Sequence, residues 1–253
     1  MIIFCINNNY EMPTCIVSAY FKIPSKQSHE WYIPHLVRFF RGIRGTVVFF
    51  TTPDVIDDIR KHTKVDHVCI VYMKFEDCHA LSSAWGPEFW ERQYSRDRER
   101  YHSPQLGVIW YEKREFVKKA MDIVDTSLYV WCDAGCVRDE MSEKCLEAFG
   151  RRKLFDANDG RIHLQMVEPA CDFKFYIHPN VFIAGAIICG NRSAWTSYRS
   201  VYDDMLLKYD NHEISGISDQ YVTQSCIREQ PELFMLHAEE SIINKWFKFL
   251  HLL

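Results

Sequence analysis

Short apolar runs alternate with amphipathic stretches along the first third of the chain. Residues 15–21 (CIVSAYF), 46–52 (TVVFFTT) and 67–73 (HVCIVYM) are continuous apolar runs of strand length, the pattern of strands buried on both faces. Between them, residues 30–40 (EWYIPHLVRFF) predict a helix interrupted near Pro34. Residues 54–62 (DVIDDIRKH) predict a second helix, begun at Pro53, with Val55, Ile56 and Ile59 on one face. Strand, helix, strand, helix, strand at this spacing predicts a parallel sheet covered by helices.

The pattern then changes. Residues 88–100 (EFWERQYSRDRER) alternate arginines with acids and predict a solvated helix or a mobile segment. Residues 106–124 (LGVIWYEKREFVKKAMDIV) place Ile109, Phe116, Val117, Ala120 and Val124 at helical spacing, with Lys and Arg on the wet side. A strand follows in LYVWCD, ending on Asp133. Residues 140–175 are mixed and polar, with a turn at Asn158-Asp159-Gly160. FIAGAIIC (182–189) predicts another strand, 193–209 a helix, and 218–229 (SDQYVTQSCIRE) a helix stopped by Pro231. With no internal repeat and no clear linker, the expected organisation is one α/β domain over 1–253.

Composition narrows the function classes. A net charge of -4 implies no polyanion-binding surface, so no nucleic-acid partner is expected. Ten cysteines are an even number, but Cys69, Cys132, Cys189 and Cys226 sit inside apolar or helical patterns, where free cysteine packs as a small hydrophobe. Mostly free thiols in a reducing, cytoplasmic setting are expected, since no secretory signal or membrane span is visible. The apolar tail from Ile242 fits a final helix docked on the domain or one lying on a membrane surface.

In open α/β sheets ligands bind beyond the carboxyl ends of the strands, which marks Asp133 as a site candidate. The loop after the first strand, SAYFKIPSK, has no glycine, which disfavours dinucleotide and P-loop classes. No GxSxG elbow is present. A zinc pair at Cys132 and Cys136 lacks a second CxxC, and Cys132 on a strand points away from Asp133.

TCIVSAYF, VVFFT, LGVIWYEKREFVKKA leading into YVWCDAGCVRD, FIAGAIICGNRSAW and SDQYV together resemble the HtrL/YibB-like proteins over roughly residues 14–236. These are similar to sugar-nucleotide-dependent glycosyltransferases of the GT-A fold. The resemblance implies a single GT-A-like, Rossmann-like domain with a nucleotide-binding half over about 14–138 and an acceptor and donor-sugar half over about 139–253. It implies a hexosyl- or pentosyltransferase moving a sugar from a nucleotide-diphosphate donor, UDP by family habit, to a glycan, glycolipid or glycoprotein acceptor.

The resemblance also implies site residues. Mn²⁺ or Mg²⁺ would bridge the diphosphate on an Asp-x-Asp motif, which here reads Asp133-Ala134-Gly135. Its second carboxylate is missing. A later ligand would then complete the site, His237 first and His178 as the alternative, or Lys and Arg would carry part of the neutralisation. Lys113 is implied as a donor phosphate or ribose contact, against a solvated lysine paired with Glu112 or Glu115. Trp110 and Tyr20 would meet the nucleotide, or simply pack. Gly185 would let backbone approach the donor sugar. Asp219 and Gln220 would face that sugar, Asp219 as general base in an inverting reaction or as a charge-stabilising group in a retaining one; a helix-capping role accounts for the same residues. A nucleotidyltransferase on a related sheet and a non-catalytic carbohydrate-binding or scaffold protein are the alternatives.

Overall fold

The apolar runs become the strands of one sheet in the computed structural model, which describes residues 2–4, 14–82, 85–99, 101–147, 158–170, 180–238, 247 and 249. β1 (Ile2–Phe4), β2 (Thr14–Tyr20), β3 (Thr46–Thr51), β4 (Cys69–Tyr72), β5 (Leu128–Cys132), β6 (Ile162–Met166), β7 (Ile183–Gly190) and β8 (Phe234–His237) lie in the order β1-β4-β3-β2-β5-β7-β6-β8. The central run β4-β3-β2-β5 is parallel, as is β6-β8, while β1, β7 and β6 introduce antiparallel neighbours. The expected α/β class with a mostly parallel sheet is therefore the observed one.

Helices close both faces. α1 (His29–Gly42), α2 (Pro53–Arg60) and α6 (Glu140–Leu146) pack on one face through Leu36, Phe39, Ile56 and Leu146. α3 (His79–Ser82), α4 (Gly86–Ser95), α5 (Pro104–Ile123), α7 (Arg192–Asn211) and α8 (Asp219–Glu229) pack on the other. α5 is seated by Phe116, whose ring stacks 4.9 Å from Phe50 and 5.9 Å from Trp131. Each such pair adds about 0.5–1.5 kcal/mol beyond the area it buries.

Several expectations need correction. α1 runs unbroken through Pro34; the carbonyl deprived of its partner belongs to Glu30, an exposed residue of the first turn where solvent can satisfy it. The 88–100 segment is not a solvated or mobile stretch throughout. Up to Ser95 it is α4, docked by buried Phe89, Trp90 and Gln93, and Arg92 and Arg96 pair with Asp210 of α7 at 2.9 and 2.8 Å. β6 emerges from the mixed, polar stretch, because the chain there alternates Ile162 and Leu164 on one face with His163 and Gln165 on the other. Cys69 is disulfide-bonded rather than a free thiol. Cys15, Cys78, Cys132, Cys136, Cys189 and Cys226 do remain buried thiols.

The largest correction concerns α5. Its Lys and Arg were expected on a wet face, yet Lys113 and Arg114 are buried, as are Glu112 and Glu115 beside them, with exposures of 2%, 3%, 0% and 3%. Successive residues on a helix point about 100° apart, so four consecutive charges reach four directions. Here α3, α4, α7 and α8 pack around α5, and the partners of the four charges come from α3, α7, α8, the sheet end and α5 itself. Glu112 accepts from the backbone N–H groups of His79 and Ala80 at 2.9 and 3.1 Å, and from Lys119. Arg114 lies over the Tyr202 ring and donates to the Trp110 and Tyr111 carbonyls. Glu115 pairs with Arg199. Lys113 faces the sheet end.

His178 and most of the apolar tail fall outside the described residues. Phe249 of that tail is fully buried and its backbone N–H donates to Gln165 Oε1 at 3.2 Å. Among the described residues, no helix is long and apolar enough to cross a membrane.

Candidate active site

β2 and β5 are parallel neighbours in register at Val17 and Trp131, so both end at the same rim of the sheet. Asp133 follows β5, its backbone N–H donating to the Ala186 carbonyl of β7 at 2.8 Å. Trp131 and Asp133 share a face, two residues apart, and the Trp131 indole N–H donates to Asp133 Oδ1 at 2.6 Å. Cys132 takes the opposite face, with its sulfur 3.6 Å from that of Cys136.

Asp219 opens α8 on the same side. Ser218 is the N-cap residue but makes no side-chain cap, and Asp219 turns its carboxylate to Lys113. The Lys113 ammonium lies 2.8 Å from Asp219 Oδ2 and 3.3 Å from Asp133 Oδ1, and donates to the Gly185 carbonyl at 2.9 Å. One carbonyl and two carboxylate oxygens thus surround the ammonium. Burial works against its charge, but Asp133 and Asp219 outweigh that and hold its pKa above the ordinary lysine value. Burial pushes the Asp133 carboxyl above its ordinary range, and the pull of Lys113 offsets only part of this.

Gly185 completes the group. A Cβ there would stand 3.2 Å from Asp219 Oδ2 and 3.2 Å from Gln220 Cγ, a fit that only glycine makes without displacement. Gln220 is fixed by donating to the Ile183 carbonyl at 2.7 Å.

These groups line a cavity of about 610 Å³, together with Trp110, Lys26 and Arg138. An adjoining lobe of about 170 Å³ shares Asp133, Trp110, Tyr32 and Arg138 and reaches Tyr20. Tyr20 is held there by His29, whose Nδ1 lies 3.0 Å from the phenol oxygen and whose Nε2 lies 3.1 Å from Asp58. Burial, with Tyr32 and Glu30 adding to it, pushes the Tyr20 phenol up, so it stays protonated. The combined space has the dimensions of a site for a ligand larger than a single sugar.

The structure thus brings together Asp133, Lys113, Gly185, Trp110, Asp219 and Gln220, with Tyr20 in the adjoining lobe. His237 is elsewhere. β8 turns Phe234 and Leu236 into the core that also holds Trp131, which puts His237 on the opposite face, against Phe249. Its Nε2 lies 2.9 Å from His163 Nδ1. Three strand positions separate β8 from β5, about 14 Å at ordinary strand spacing. Asp133 and His237 cannot ligate one ion.

The donor set for a divalent cation is correspondingly poor. Among the described residues, no three His, Cys, Asp or Glu side chains cluster where they could hold a metal ion. Oxygens of both carboxylates are already engaged by an ammonium, and no carboxylate stands at Gly135. The described residues do not make up the Mn²⁺ or Mg²⁺ centre that was expected.

Lys26, Tyr32 and Arg138 were missed in the sequence. Arg138 had a signal, since it stands five residues past Asp133 in the same loop. Lys26, in a polar linker, had none.

An α/β sheet with a charged cavity at the carboxyl ends of its parallel strands is a ligand-binding arrangement of the Rossmann-like class. The chain belongs to the HtrL/YibB family: the family model described as "Bacterial protein of unknown function (HtrL_YibB)" matches residues 88–253. A comparison with curated proteins gives no match. Among solved structures, CMP:2-keto-3-deoxy-manno-octonic acid synthetase complexed with CTP is similar over 89% of this chain and 90% of that one, at 11% identity and a TM-score of 0.40.

Proposed function

We propose that the protein is a glycosyltransferase that moves a sugar from a nucleoside-diphosphate sugar to a hydroxyl of a glycan, glycolipid or glycoprotein acceptor. The observation that carries this reading is the Asp133–Lys113–Asp219 ion triad, open to a cavity with an aromatic lobe on one side and Gly185 on the other. In this reading Tyr20, Tyr32 and Trp110 take the nucleoside, within a nucleotide-binding half over about 14–138. Gly185, Asp219 and Gln220 take the donor sugar, within the half over about 139–253.

The bond from the anomeric carbon to the phosphate oxygen breaks, and one to the acceptor oxygen forms. The nucleoside diphosphate leaves. With inversion, Asp219 takes the acceptor proton; with retention, the proton goes to the departing diphosphate oxygen and Asp219 holds a sugar hydroxyl. The anomeric configuration of the product, read by NMR, distinguishes these roles.

The test is a panel of UDP-, GDP- and CMP-sugars, following nucleotide release with wild type and Asp219→Asn, with thermal melting to check folding. One donor is expected to turn over, and Asp219→Asn to lose turnover while folded. Full turnover in Asp219→Asn would sink the assignment. Pyrophosphate release from a nucleoside triphosphate, with no donor sugar consumed, would replace it with nucleotidyl transfer.

A further inference from the structure

Three side-chain cations, Lys26, Lys113 and Arg138, line the cavity at the sheet end. We infer that the donor diphosphate is held by Arg138 and Lys26, beside the Asp133–Lys113–Asp219 triad, and that no divalent metal ion takes part in holding it. This rests on the proposed function and narrows it.

A hard divalent cation needs several oxygen ligands, with carboxylates prominent among them. Asp133 Oδ1 already accepts from Trp131 and faces Lys113, and Asp219 Oδ2 faces Lys113 at 2.8 Å. A cation placed there would stand beside the Lys113 ammonium, which already faces both carboxylates. Position 135 supplies no second carboxylate, and the space beside it is tight. A Cβ on Gly135 would start 3.2 Å from Tyr32 Cε1, so a side chain there is directed against that ring.

The cations are placed where the metal is not. Arg138 borders both lobes, its guanidinium 5.0 Å from the Phe247 ring centroid and 5.7 Å from that of Trp31. Its Nε reaches the Gly135 carbonyl at a long 3.4 Å, and its terminal nitrogens have no hydrogen-bond partner among the described residues. A planar guanidinium stacked on rings with its outer edge open is suited to two phosphate oxygens at once. Lys26 lies 4.2 Å above the Tyr101 ring and 5.6 Å from Trp110, at the side of the same cavity. The acids near these groups are Asp133, Asp219, Glu99 and Asp97, of which Glu99 is engaged by Tyr101 and His102 and Asp97 by His102. The cavity wall is then balanced in charge until the diphosphate enters between the two cations.

The test titrates UDP, GDP and CDP into the full chain by calorimetry, once in EDTA and once in MnCl₂, for wild type, Arg138→Gln and Lys26→Gln. Arg138 is exposed, so its variant is expected to melt like wild type. Equal affinity in EDTA and Mn²⁺, with a loss of about tenfold or more in Arg138→Gln, is the expected result. Binding that appears only with Mn²⁺ and ignores Arg138→Gln overturns the inference and leaves the glycosyltransferase reading standing. No binding of any nucleoside diphosphate in either condition overturns both.

Discussion

Replacing Lys113 by methionine keeps most of the side-chain volume and removes the charge that two carboxylates face. Lys113 and Asp219 are 3% and 7% exposed at the side chain, so Lys113→Met leaves Asp219 as an unpaired carboxylate in the interior. Breaking a buried ion pair from one side costs about 3–5 kcal/mol, chiefly from the stranded charge. Asp133 adds less, since its contact with the ammonium is longer, 3.3 Å against 2.8 Å. Set against a total stability of about 5–15 kcal/mol, the loss is large. In a chain of this size it lowers the melting temperature by roughly 6–20 °C. The assay is differential scanning calorimetry at neutral pH on Lys113→Met, Asp219→Asn and the double variant. Because the double variant removes the stranded charge, it is expected to regain much of the loss, and the cycle gives the pair's coupling energy. A Lys113→Met protein within about 1 kcal/mol of wild type, the scale of a surface pair, would refute the buried triad.

Three further outcomes follow from the same geometry. Gly185→Ala must push Asp219 by a few tenths of an ångström; the protein is expected to fold, while kcat/KM for the donor falls about tenfold, and unchanged kinetics would remove Gly185 from the site. Burial and the neighbouring His237 lower the His163 pKa to about 4, below the ordinary value of 6.5, so the stability this neutral ring supplies is complete above pH 6.5 and is lost as pH falls towards 4. The loss amounts to roughly 3 kcal/mol, and His163→Gln is expected to flatten the stability–pH curve across that window. Tyr20→Phe deletes the hydroxyl that meets His29 but keeps the ring; nucleotide affinity should hold if the ring does the binding, whereas Tyr20→Ala should weaken it by about 1–2 kcal/mol.

The site shows which kinds of signal a sequence carries. Asp133 was visible because a buried strand ending on a charge is unusual, and strand ends are where open sheets bind ligands. Gly185 and the Asp219–Gln220 pair entered through the family resemblance, and their placement beside Lys113 came from the fold. Lys113 itself was ambiguous. A lysine in a run of four charges reads most simply as solvated, and nothing in the run says that four other helices surround it. His237 misled for the complementary reason: a histidine after an apolar run shows neither the face of the strand it occupies nor the strands between it and Asp133.

What the amino-acid pattern determined by itself was local: which segments are strands, where most helices begin and stop, and that the sheet is mainly parallel. Those features follow from side-chain periodicity and backbone geometry, which act over a few residues. Tertiary structure decided what depends on encounters between distant segments. It buried the whole charged quartet of α5, because α3, α7 and α8 bring partners to those charges from segments distant in the sequence. It set one ammonium between carboxylates at positions 133 and 219, and placed residues 133 and 237 on opposite faces of the same sheet. Partner choice for a buried charge is settled by what packs around it, and no spacing along the chain encodes that.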